Sequence, residues 1–144
     1  MRALLDVNVV IAPLDPDHAF NERAHKWWAT NAKSGWASCP VSENGVVRIM
    51  SNPAYSPRAH FTPGDMILRL RTFSNQTDHE FWPDDISLRD DSIFVAERIH
   101  GSRQVTDLYL LALASRHKGR LATFDTAIPA SAVRISKTAT LHVI

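Results

Sequence analysis

Four acidic residues sit where acids are costly unless they have a use. Asp6 closes the apolar run Ala3-Leu4-Leu5, and Asp125 closes Leu121-Ala122-Thr123-Phe124. Glu43 follows Pro40-Val41-Ser42, and Asp107 follows Val105-Thr106, each at the head of a helical pattern. A charge among apolar residues is expensive to bury without a partner. Each acid alone has an ordinary use as a helix cap, a first-turn acid or a turn residue. Gathered in one place they would raise one another's pKa unless a cation neutralised them. An all-oxygen set with few Cys or His suits a hard divalent cation such as Mg²⁺ or Mn²⁺. Carboxylate-held cations of that kind activate water and stabilise a leaving oxygen in phosphoryl chemistry.

Other chemistries have less to stand on. No Gly-rich phosphate loop is present, which disfavours a nucleotide-hydrolysing motor. The single Cys39 excludes an intrachain disulfide and any multi-Cys zinc site. The seven His show no helical His-x-x-x-His pair. A net charge of +1 does not announce nucleic acid, although twelve of the sixteen cations are Arg. Asp6 and Asn8 interrupt the N-terminal apolar run, so it does not read as a signal peptide. No apolar stretch approaches membrane-spanning length. A reducing, cytoplasmic setting is expected.

The elements that would position the acids follow from periodicity. Strands are expected over residues 2–6, 36–39, 80–83, 120–124 and 140–143. Helices are expected over 20–32, 41–50, 92–99 and 107–117, and from Pro63 onward with Thr62 as its cap. Residues 7–12 read as a short helical turn that stops at Pro13. The segment 107–117 is apolar nearly all round and should be central. Strand and helix alternate, so the 144 residues read as one α/β domain spanning 1–144, a mostly parallel sheet with helices on both faces. In such a sheet, strand ends and the starts of the following helices share one edge. All four acids would converge there. Trp27, Trp28, Trp36 and Trp82 are more aromatic surface than one small core readily absorbs, which points to a homodimer.

Leu4-Leu5-Asp6-Val7-Asn8, Pro40-Val41-Ser42-Glu43-Asn44-Gly45-Val46-Val47-Arg48, Val105-Thr106-Asp107 and Leu121-Ala122-Thr123-Phe124-Asp125, in that order, resemble the PIN domain. More narrowly, they resemble the VapC-type toxins of bacterial toxin–antitoxin modules. The resemblance implies a compact α/β/α sandwich and a Mg²⁺- or Mn²⁺-dependent ribonuclease. It further implies a homodimer inhibited by a small VapB-type antitoxin. Asp6, Glu43, Asp107 and Asp125 would then be the catalytic, metal-binding acids, with Asn8 orienting the first and Thr123 positioning water or metal. Four carboxylates repel a phosphate backbone, so rim cations must help RNA to dock. Arg48, Arg103 and Arg98 are the candidates, Arg48 for phosphate or an antitoxin carboxylate. Two rivals remain. A phosphatase with a strand-end Asp nucleophile would want a second Asp where Asn8 stands and a Lys near the phosphate, whereas Lys26, Lys33, Lys118 and Lys137 fall at expected surface ends. A catalytically inactive PIN-like binding module would have no need of all four acids.

Overall fold

The computed structural model describes residues 1–134 and 140–144; Lys137 lies outside them. Five strands, β1 (Ala3–Leu5), β2 (Trp36–Ser38), β3 (His79–Phe81), β4 (Arg120–Thr123) and β5 (Thr140–Val143), form one sheet in the order β3-β2-β1-β4-β5. Every pairing is parallel. The chain builds outward from β1 to β2 and β3, then crosses back to add β4 and β5 on the other side. That reversal makes the gap beyond the ends of β1 and β4 the topological switch point, where ligands of such sheets bind.

Alternation along the strands divides the core in two. Leu4, Ala37 and Leu121 face a cluster built on the helix α5 (Val105–Arg116). Ala3, Leu5, Trp36 and Ala122 face the other cluster, with residues of α1 (Val7–Leu14), α2 (Asn21–Asn31), α3 (Pro40–Met50) and α4 (Pro63–Gln76). Burial of both faces explains why the central strands β1, β2 and β4 read as largely apolar runs rather than alternating ones. The result is the expected α/β/α sandwich.

Three local expectations need correction. Residues 92–99 are not an α-helix. Asp90 Oδ1 accepts from the Ser92 amide and hydroxyl, and only Ala96–Arg98 makes a single 3₁₀ turn. The backbone bonds go across instead: the Val95 N–H donates to the Ala132 carbonyl and the Arg134 N–H to that of Ile93. The reason is packing. Leu108, Leu110, Leu111, Ala112, Leu113 and Ala114 bury α5 nearly all round, and the segment carrying Ile86, Ile93, Phe94 and Ile99 packs against its cluster. Helix α1 continues through Pro13, and α5 starts at Val105, two residues early, which puts Asp107 in its first turn.

The tryptophan inference also fails. Trp27, Trp36 and Trp82 are buried, and Trp28 packs half-buried on the second cluster. The two clusters between them absorb all four, so they do not argue for a dimer. The large exposed apolar side chains include Ile67 and Leu68 on α4, and Phe81 on the edge strand β3.

Gly119 lets the chain turn from α5 into β4. A Cβ there would lie 2.8 Å from the Arg2 carbonyl oxygen and 2.5 Å from a ring carbon of Trp82. Backbone cannot yield as a flexible side chain would, and overpacking of this kind costs about 1–3 kcal/mol. Gly119→Ala is therefore expected to lose that much stability in urea melts; an unchanged midpoint would show that the entry to β4 relaxes freely.

Candidate active site

Asp6 stands immediately after β1 and caps α1. Its Oδ1 accepts the Val7 N–H at 2.7 Å and its Oδ2 accepts the Thr123 hydroxyl at 2.9 Å. The Asp6 N–H donates to the Ala122 carbonyl, which ties the residue to β4 by its backbone as well. Thr123 is fully buried at the end of β4, and its Oγ1 also accepts the Asp125 N–H at 3.1 Å. One hydroxyl thus joins the ends of the two switch-point strands. Asp125 itself is exposed, its Oδ1 accepting the Ala127 N–H at 2.7 Å in a local turn.

Asp107 reaches the same place from α5. Its carboxyl is pushed up to about 6, first by burial and then by the charges of Asp6 and Asp125. Asp6 is raised too. Burial is the main cause, opposed by the bonds from Thr123 and Val7 and reinforced by Asp125. Three carboxylates from three distant stretches of chain therefore share one electrostatic field. No ion pair links any of them to a cation among the described residues. Helix N-termini soften the repulsion, since Asp6 caps α1 and Asp107 sits in the first turn of α5.

Glu43 is placed differently. It lies in the first turn of α3, but its Oε1 accepts the Ser38 hydroxyl at 2.6 Å, beside His79. Its charge acts on His79 and is not among those that raise Asp6 or Asp107. Asn8 is exposed at the second position of α1, and the groups that bond Asp6 are the Thr123 hydroxyl and the Val7 amide. Arg48 is exposed on the wall of a cleft of about 540 Å³ that reaches Asp6, Asn44 and Thr106. Arg103 is exposed in a 3₁₀ turn just before α5. Arg98 is tied down, its Nη1 donating to the Ser131 carbonyl at 3.0 Å.

Sequence reasoning missed Asp84. It lines the same cleft as Asp6, three residues beyond β3, and is hydrogen-bonded by the Tyr109 hydroxyl of α5. Its signal was present: Trp82-Pro83-Asp84-Asp85 is another apolar run closed by acids at a strand end.

The donor set suits a hard divalent cation. It offers carboxylate oxygens in a partly desolvated place, and the excess negative charge has no protein counter-ion among the described residues. No three Asp, Glu, His or Cys of those residues already stand close enough to hold an ion.

A parallel α/β/α sandwich with acids gathered at its switch point is the class of protein that fold and site define, and the PIN-domain pattern matches residues 3–133. The chain belongs to the PIN-domain family. Within it the relatives are of the VapC type. Ribonuclease VapC44 of Mycobacterium tuberculosis is 46% identical over 134 residues, 92% of each chain. Ribonuclease VapC39 of the same organism is 42% identical over 132 residues, 92% of this chain and 94% of that one. The crystal structure of VapBC2 from Rickettsia felis bound to a promoter DNA fragment matches the fold with a TM-score of 0.58. That match covers 100% of this chain and 99% of that one at 12% identity.

A carboxyl whose folded pKa is raised favours the folded state only while protonated. Its contribution is most favourable below its ordinary value of 3.8 and declines as pH rises towards about 6. In EDTA, Asp107→Asn is therefore expected to melt above the wild type at pH 7.5, with the difference closing towards pH 4. A mutant that melts lower at pH 7.5 would show that Asp107 carries no such strain.

Proposed function

We propose that the chain is a divalent-metal-dependent endoribonuclease, the toxin of a VapBC-type toxin–antitoxin pair. The observation that carries this reading is the shared field of Asp6, Asp107 and Asp125, with Asp107 raised to about 6. Acids strained in this way are characteristic of functional sites rather than of caps. RNA as substrate is supported by the names of the relatives, both called ribonucleases.

Asp6, Asp107 and Asp125 would hold Mg²⁺ or Mn²⁺, with Glu43 as the proposed fourth acid. When bound, the ion supplies an activated water and charge stabilisation at the leaving oxygen. The chain's own residues do the rest. Thr123 and the Val7 amide each engage one oxygen of Asp6 and so fix the plane of its carboxylate. The N-termini of α1 and α5 bring favourable dipoles to the edge where phosphate must approach. Arg48 stands on the cleft wall, positioned to meet a phosphate or an antitoxin carboxylate. Arg103 offers a further rim cation, whereas Arg98 already serves the Ser131 carbonyl.

A VapB-type antitoxin is the expected partner, supported by the VapC relatives and the VapBC2 likeness. A homodimer is the proposed assembly, and the exposed Ile67 and Leu68 of α4 give it apolar surface to bury. Cytoplasmic location completes the reading; no helix among the described residues is long and apolar enough to cross a membrane.

The test is RNA cleavage with purified chain. Cleavage is expected with Mg²⁺ or Mn²⁺ and none with EDTA. Asp6→Asn and Asp107→Asn are expected to fall to background while circular dichroism shows them folded. Full activity in Asp6→Asn would contradict the site, and phosphate release from small esters without RNA cleavage would favour the phosphatase alternative.

A further inference from the structure

The pair that takes up Glu43 is not explained by the fold alone. Ser38 is the last residue of β2 and only 1% exposed. Its Oγ lies 2.6 Å from Glu43 Oε1 and 2.7 Å from His79 Nε2 on the neighbouring strand β3. A hydroxyl has one proton to give. Donated to the Glu43 carboxylate, it leaves the Ser38 oxygen to accept, so His79 carries its proton on Nε2 and donates it. The parallel register sets the pair: Trp36 lies opposite His79 and Ser38 opposite Phe81. The His79 ring is held in turn against the Trp36 ring, centroids 4.4 Å apart. Three polar side chains from β2, β3 and α3 thus form one directed chain, His79 to Ser38 to Glu43. A buried hydroxyl needs one partner to offset its desolvation; this one has two, and the bond from His79 directs the hydroxyl proton to Glu43.

We propose that Ser38 and His79 are positioning residues for Glu43, a hydrogen-bonded relay that fixes one oxygen of its carboxylate for the part the metal-site reading gives it as the fourth acid. The proposal rests on the metal-site reading above and adds the residues that set the fourth acid. Outer-shell partners of a ligating carboxylate hold its orientation, and their loss typically weakens metal affinity about 10- to 100-fold. Such a role needs no contact between Ser38 and either the ion or RNA.

The experiment is Mn²⁺ affinity of the full chain, measured by electron paramagnetic resonance of the free ion, with RNA cleavage recorded separately. Ser38→Ala is expected to weaken Mn²⁺ binding about 10-fold or more. Glu43→Gln should show a comparable loss, and the double variant no further loss, because Ser38 acts only through Glu43. His79→Gln keeps a side-chain N–H donor at about the place of Nε2 and should stay close to wild type, whereas His79→Ala should not. If Ser38→Ala fails to fold, the His79 pair decides. Wild-type affinity in Ser38→Ala, losses that multiply in the double variant, or equal behaviour of His79→Gln and His79→Ala would overturn the relay. Mn²⁺ binding with the expected pattern but no RNA cleavage would overturn the ribonuclease reading and leave the relay standing. No Mn²⁺ binding by the wild type would overturn both.

Discussion

The burial of Asp6 at the crossing of β1 and β4 is the constraint on which the rest depends. A carboxylate only 8% exposed must be given hydrogen bonds or lose its charge. The fold gives it two, one from the first amide of α1 and one from the hydroxyl that ends β4. Those bonds hold only if β1 and β4 are neighbours in register, Leu5 opposite Ala122. The strand order that makes them neighbours is also the one that opens a cleft beyond their ends. Sheet topology, helix capping and the acid site are one arrangement seen at three scales.

That arrangement is not the most stable one available. Asp107 enters the same field from α5 and is raised by Asp6 and Asp125, a local conflict that packing alone would never select. Proteins break local consistency at functional sites and make up the stability elsewhere. Here it is made up in the two apolar clusters on either side of the sheet, and in the burial of α5, where six residues are out of water. A bound cation would turn the conflict into attraction, which is why the acids read better as a site than as three unrelated caps.

Much of this was legible in the sequence because it was local. The runs before Asp6 and Asp125 are apolar on both faces, which marks strands of a covered parallel sheet, and the acids that end them are hard to explain as core. The uniform burial of α5 was visible in its lack of a polar face. What failed depended on distant partners. Residues 92–99 have helical spacing, yet the Val95 amide and the Ile93 carbonyl bond across to Ala132 and Arg134, because α5 needs a cover. Glu43 was placed with the aspartates by position along the sheet edge, and only the β2–β3 register reveals Ser38 and His79 beside it. The role of Asn8 came from the resemblance alone, and helix geometry turns the second residue of α1 to solvent. The four Trp suggested excess surface because sequence does not show how two clusters divide them.

Asp107 feels the charges of both Asp6 and Asp125. Carboxyl carbon NMR of the metal-free chain, followed through pH, measures this at Asp107 directly. A midpoint of about 6 is expected for Asp107 in the wild type, falling towards the ordinary 3.8 in both Asp6→Asn and Asp125→Asn. A wild-type midpoint near 3.8, or one that neither substitution moves, would contradict it.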